Sequence, residues 1–220
     1  MTTMFQPIDA YCERTSAAYW AEPVNALTNL AFLLAAWVMW RRTAGLPPGR
    51  AMSAGLAAIG LGSWLFHTHA NGLTAALDVG PILVFILVYI FAATRDLLAF
   101  GPWWAAGAVV AFFPYAALMV PVFSSLMPSL GSSAGYAPIP VLILAYAAAV
   151  WRHAPATARG MALGAAILIV SLTFRTLDGQ VCEALPLGTH FLWHILNGLM
   201  LGWMIEVYRR HMLAKGLPPG

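Results

Sequence analysis

Seven long apolar stretches run along the chain, separated by short breaks rich in charge, proline and glycine. They cover approximately Glu22–Trp40, Met52–His69, Leu73–Ala93, Trp103–Val122, Ala137–Trp151, Gly160–Thr176 and His190–Tyr208. About 20 apolar residues in a helix cross the hydrocarbon core of a bilayer. Each stretch therefore predicts a spanning helix, the fifth and sixth being short. A transmembrane barrel would instead show segments of about ten residues with alternating polarity. Runs such as Leu30-Ala31-Phe32-Leu33-Leu34-Ala35-Ala36-Trp37 do not alternate. The pattern predicts an all-α membrane protein, a seven-transmembrane helix bundle. It reads as one domain over residues 1–220, with 1–21 an extracytoplasmic segment and 209–220 a cytoplasmic tail.

Composition narrows the class. Of 220 residues, 61% are hydrophobic and 9% charged, against roughly 25% charged in soluble domains. That excludes a cytosolic enzyme, a disordered chain and a nucleic-acid binder, despite the net charge of +3. Lys and Arg close to span ends resist translocation. On a seven-span path, Arg41, Arg42, Arg50, Arg95, Arg152, Arg159, Arg209, Arg210 and Lys215 share one side, and only Arg14 and Arg175 the other. The N-terminus is therefore expected outside and the C-terminus in the cytoplasm, in a plasma or bacterial inner membrane. The start, Met1-Thr2-Thr3-Met4-Phe5-Gln6-Pro7, lacks the basic region of a cleaved signal peptide. The first span is expected to serve as its own insertion signal. Ser124–Ala137, rich in Ser, Gly and Pro, is expected to be an exposed outer connection. Gly-Leu-Pro-Pro-Gly begins at Gly45 and again at Gly216, each time after a basic cluster. It reads as a repeated helix stop, because proline cannot continue a helix. Cys12 and Cys182 both fall on the outer side, where an oxidising compartment permits a disulfide; two separate thiols are the alternative.

Polar side chains at membrane depth are costly, so they normally face a bundle interior and mark function. Ser63 and His67 are four apart near the end of the second stretch, on one helix face. Asp78 follows eleven residues after His67, and His190 and His194 open the last stretch on a shared face. An even-numbered span ends outside and an odd-numbered one begins there, so all of these lie at similar depth. Three imidazoles beside an open fourth position form a catalytic zinc pattern, although imidazole also suits copper, nickel or iron. A non-metal alternative is that these histidines hydrogen-bond across helices. His69 points to the other side of its helix, and His153 and His211 sit among cytoplasmic basic residues as interfacial groups. Glu22, Asn25 and Asn29 form a polar stripe at helical spacing that should face inward. Asn197, three residues after His194, is placed to orient an imidazole. Arg175 and Asp178, three apart, either pair with each other or leave Arg175 for a substrate head group.

Together these residues resemble the alkaline ceramidases, part of a superfamily of seven-span intramembrane hydrolases that includes the adiponectin-receptor-like proteins. The resemblance rests on Ser63-x3-His67, Asp78, and Gly188-Thr189-His190 through Trp193-His194. It also rests on Tyr11-Cys12-Glu13-Arg14, Ala21-Glu22-Pro23-Val24-Asn25 and Thr28-Asn29. It implies a zinc amidase acting on a lipid amide, with His67, His190 and His194 as ligands and Ser63 and Asp78 beside the attacking water. It further implies a Cys12–Cys182 disulfide and a calcium site at Asp9, Tyr11 (through its carbonyl), Glu13 and Glu22. That last match departs from the family pattern in the position of Asp9 and in Thr15, which stands where an asparagine is usual. Asp78 would act as the proton acceptor and donor, and Ser63 as a hydrogen-bond donor to the oxyanion. Two other classes compete: a receptor or lipid-binding protein with a structural zinc, and a small transporter. The polar residues gather at one membrane face and none continue to the other, which counts against a transporter.

Overall fold

The structure, a computed structural model, describes residues 3–216. Met1, Thr2 and residues 217–220, which complete the second Gly-Leu-Pro-Pro-Gly, lie outside the described residues, so that copy's reading as a helix stop does too. Seven helices coincide with the seven apolar stretches. They are α1 (Pro23–Arg42), α2 (Pro47–His69), α3 (Gly72–Ala92), α4 (Pro102–Leu126), α5 (Pro138–Val150), α6 (Pro155–Val181) and α7 (His190–Ala214). Helix α1 is interrupted at Asn29, between Pro23–Thr28 and Leu30–Arg42.

Proline opens five of these helices. Its missing N–H is one that a first turn leaves unbonded anyway, and its fixed φ suits that position. The first Gly-Leu-Pro-Pro-Gly is accordingly a turn between helices and not a stop alone. Gly45 takes a φ of +74° after α1, and Pro47 already belongs to α2. Helix α3 starts differently, with a reciprocal cap: Asn71 accepts from the Thr74 N–H at 3.1 Å and donates its own N–H to the Thr74 hydroxyl at 3.0 Å.

Four helical spans are long and apolar enough to cross a membrane: α1, α3 with the π-turn that extends it to Leu97, α4 and α6. The 3₁₀ segment Pro128–Gly135 and α5, bent by 66°, make a fifth when taken as one span. Alone, the 13 residues of α5 reach only about 20 Å, short of a core of about 30 Å. Helices α2 and α7 fall outside these spans, their apolar character diluted by Ser63, His67, His190, His194, Asn197 and Glu206.

Two expected loops are more structured than their composition indicates. Ser124–Ala137 begins inside α4 and continues as the 3₁₀ segment, where Ser133 is buried. Most of the described part of the expected tail is helix, since α7 runs through Arg209 and Arg210 to Ala214.

Helix α2 lies along α3, α5 along α6 and α6 along α7, while α1 packs against both α2 and α7. The α2–α3 approach depends on Gly62: a Cβ there would sit 2.0 Å from the Leu77 carbonyl oxygen. Backbone contact at that point draws Asp78 against the Ser63 face of α2. Below it the interior is filled by Phe32, Met52, Leu56, Ile59, Met204 and Ile205. The N-terminal segment folds over the bundle end where α2 finishes and α7 begins. Ile8 donates its N–H to the Ala70 carbonyl at 2.7 Å, and a disulfide joins Cys12 to Cys182 at the end of α6.

Candidate metal centre

His67 stands in the last turn of α2, and His190 and His194 in the first turns of α7. All three are buried, at 0%, 2% and 1% exposure. Their ring centroids are 4.6, 4.7 and 5.2 Å apart, and one nitrogen from each ring lies within 4.8 Å of the others. Among the described residues this is the group of His, Cys, Asp and Glu side chains gathered closely enough to share a metal ion.

For His67 and His194 the surroundings dictate which nitrogen is left free. His67 Nδ1 donates to Glu22 Oε2 at 2.6 Å, which leaves the Nε2 lone pair free. The Thr28 hydroxyl spends its one hydrogen on the Val24 carbonyl at 2.8 Å, so its oxygen accepts His194 Nδ1–H at 2.9 Å and frees His194 Nε2. His67 Nε2, His194 Nε2 and His190 Nδ1 are buried with no hydrogen-bond partner. Buried polar atoms are nearly always bonded, so three imidazoles that each carry an unpartnered nitrogen and gather within 4.8 Å through one nitrogen apiece fit a divalent ion. A carboxylate or hydroxyl behind each ligating imidazole is the usual support for such a site.

Sequence reasoning gave Glu22 to calcium and Asn197 to the imidazoles. The structure gives the imidazole support to Glu22 and Thr28 instead. Asn197 is buried, and its Oδ1 has no partner. It lines a cavity of ≈ 50 Å³ together with Ser63 and Asp78. Ser63 is one turn before His67 on α2 and Asn197 one turn after His194 on α7, so this cavity lies one turn deeper than the histidines. A second apolar cavity of ≈ 60 Å³, lined by Phe85, Tyr89, Met161 and Met204, shares Ile86, Ile139, Met200 and Leu201 with the first.

Arg175 and Asp178 do not pair. Arg175 Nη1 donates to the Ser132 and Ser133 hydroxyls at 2.9 and 3.0 Å, and its guanidinium lies over the rings of Tyr136 and Trp193. The Asp178 carboxylate accepts backbone N–H bonds from Thr189 (2.7 Å), His190 (2.8 Å) and Cys12 (3.1 Å). It therefore caps α7 from the end of α6, where a negative charge is favoured by the unpaired N–H groups and the helix dipole. Gly188, at φ +66°, makes room for it: a Cβ would lie 2.1 Å from Asp178 Oδ1.

Glu22, Asn25 and Asn29 are buried, as the stripe predicts. Glu13 caps α1 through the Val24 and Asn25 N–H groups at 2.7 and 2.8 Å, and Asp9 stays at the surface. The Tyr11 ring stacks on His190 at 3.6 Å, and burial pushes its phenol above the usual range. His69 is turned away, bonding the Leu65 carbonyl at 3.3 Å. His153 is exposed, as expected, but His211 is buried between α6 and α7 on the Thr157 hydroxyl at 2.9 Å, not interfacial. Thr28 and Arg14 were the functional neighbours that spacing did not single out; Thr28 adjoins the inward stripe, which is the signal that marks it.

Comparison with known proteins finds no match among curated entries of established role. The model of the family described as Ceramidase matches residues 8–215, nearly the whole chain. The match takes in every residue of the three-histidine centre and both cysteines, and the chain belongs to the ceramidase family.

Proposed function

We propose that the protein is a zinc-dependent intramembrane hydrolase that cleaves a ceramide-like lipid amide into a sphingoid base and a fatty acid. The observation that carries this reading is the meeting of three buried imidazole nitrogens without partners. Three histidines with a fourth position open suit catalytic zinc. Family membership supports an amide substrate, and the paired apolar cavities inward of the histidines support a hydrocarbon chain on that substrate.

When bound, such an ion supplies Lewis acidity toward a carbonyl and lowers the pKa of a water to about 7. The chain's own residues do the rest. Asp78 takes the proton lost by the attacking water and returns it to the leaving amine nitrogen. Ser63 donates a hydrogen bond to the carbonyl oxygen as charge develops there, a contact worth about 3 kcal/mol. Asn197 Oδ1, already dehydrated and unpaired, accepts the amide N–H and holds the scissile bond in register.

The bundle crosses the membrane seven times, with the N-terminus and the metal centre on the outer side and substrate arriving laterally from the outer leaflet. Contacts at the opposite end support this arrangement, because they gather the basic residues into one layer. Arg42 and Arg210 pair with Glu206 at 2.9 and 2.8 Å, and Arg95 pairs with Asp96 at 2.7 Å. Such a layer matches the positive cytoplasmic face of membrane proteins.

The test is metal analysis of the purified protein combined with acyl release from ceramide by wild type, His194→Ala and Asp78→Asn. We expect one zinc per chain in wild type and Asp78→Asn, loss of zinc in His194→Ala, and turnover in wild type alone. Full activity in His194→Ala removes the proposal; zinc without turnover on any lipid amide leaves a receptor with a structural ion.

A further inference from the structure

The resemblance that brings zinc also implies calcium at Asp9, Tyr11, Glu13 and Glu22, which requires carboxylate oxygens free to surround an ion. Calcium takes six to eight oxygen ligands. Asp9 stays at the surface, and the two glutamates are already committed. Both oxygens of Glu13 accept backbone N–H groups of α1, from Val24 and Asn25. Glu22 Oε2 accepts from His67 Nδ1 at 2.6 Å and from Asn25 Nδ2 at 3.1 Å, and Glu22 Oε1 is held by Arg14 Nε. Arg14 itself is buried, with its side chain 5% exposed. Its other nitrogens donate to the Ser16 carbonyl at 3.1 Å and to the His67 carbonyl at 3.0 Å.

A positive charge thus lies inside the acidic cluster, bonded to the carboxylate and to the main chain of a histidine that the carboxylate also holds. Guanidinium offers five N–H donors in a fixed planar fork and stays charged when buried. Those are the properties needed to knit an anionic side chain and a carbonyl oxygen together without a metal. A divalent cation added here would meet like charge and find the glutamate oxygens already bonded.

We infer that Arg14 is the resident cation of this cluster: it stands in for calcium, makes the N-terminal anchor independent of that ion, and positions the His67 imidazole through Glu22. The last clause rests on the proposed role of His67 as a ligand; the calcium clause does not. Arg14 is a positioning residue, acting on the centre only through Glu22 and the His67 backbone.

The experiment uses the full chain purified in detergent, dialysed against calcium chloride or against EGTA. Calcium per chain is measured by mass spectrometry, thermal unfolding is followed in both buffers, and zinc affinity is measured by chelator competition for wild type, Arg14→Gln and Arg14→Lys. Wild type is expected to hold no calcium and to unfold at the same temperature in both buffers. Arg14→Gln should weaken zinc about 10- to 100-fold, the usual effect of losing support behind a ligand, and Arg14→Lys should recover most of that. Stoichiometric calcium in wild type with a rise in unfolding temperature overturns the inference, as does wild-type zinc affinity in Arg14→Gln. Should Arg14→Gln fail to fold, the wild-type calcium measurement still decides. Neither calcium readout depends on turnover, so failure on lipid amides alone leaves this inference standing.

Discussion

A histidine ligates through the nitrogen that its other nitrogen's partner leaves free, so the groups setting the tautomers matter as much as the rings. Glu22 and Thr28 set two of them, from 45 and 166 residues away in sequence. Asn197 is a different case, because its Oδ1 is desolvated yet bonded to nothing in the protein. An acceptor prepared in this way strengthens substrate binding only when a donor arrives. Asn197→Leu keeps the volume and removes the acceptor. We expect kcat/KM to fall about tenfold, matching a hydrogen bond worth ~1–1.5 kcal/mol, with unfolding temperature and zinc content unchanged. The same substitution should make no difference on an N-methylated amide, which has no N–H; equal losses on both substrates would remove the assignment. The histidines themselves were legible in sequence because i, i+4 spacing puts two rings on one face and intramembrane imidazoles are rare. Their supports were not, since nothing local links Glu22 to His67. Arg175 and Asp178 show the opposite error. Their three-residue spacing favours a pair, but the N–H groups of Thr189 and His190 at the start of α7 offer the Asp178 carboxylate two donors, Cys12 adds a third, and these win.

At the level of elements, the catalytic geometry proposed for Ser63 and Asp78 hangs on how closely α2 and α3 approach. Ser63 comes from one and Asp78 from the other, and Gly62 is the residue at which the Leu77 carbonyl makes contact. The neighbour is backbone, which cannot rotate away as a side chain can. Gly62→Ala should therefore push α3 outward and shift Asp78. Overpacking of this kind costs ~1–3 kcal/mol, and a catalytic group displaced by ~1 Å can cost ~100-fold in rate. The expected result is a kcat lower by one to two orders of magnitude with close to one zinc per chain retained; an unchanged kcat would show that the α2–α3 contact is not what places Asp78. Helix existence was readable at this scale because each stretch is continuously apolar. Helix ends were less so. The Gly-Leu-Pro-Pro-Gly at Gly45 reads as a helix stop, yet its Pro47 starts the next helix, as Pro102, Pro138 and Pro155 do elsewhere, because a fixed φ without an N–H suits a first turn as well as it blocks a middle one.

For the whole molecule, the all-helical class was legible from composition and the Cys12–Cys182 pairing from the resemblance, whereas the packing of residues 8–14 against the histidine end of the bundle was not. Distant segments meet there: residues 8–14, the end of α6 and the start of α7. The Cys12–Cys182 disulfide links the first two across a sequence separation of 170, and Tyr11 beside it stacks on His190. A bond closing so long a loop removes unfolded-state freedom, worth about 2–5 kcal/mol. Spread over a chain of this length, that corresponds to roughly 5–15 °C in unfolding temperature. Reduction, or Cys12→Ser, should lower stability by that amount and also free Tyr11 from His190, so zinc release to a chelator should accelerate. Cys182→Ser should act identically, since either substitution breaks the same strap. The pairing of these outcomes is the informative part. A lower unfolding temperature with unaltered zinc release would make the disulfide a brace for the fold alone, held apart from the metal centre by Asp178, which grips Cys12 and His190 through their backbone N–H groups independently of sulfur.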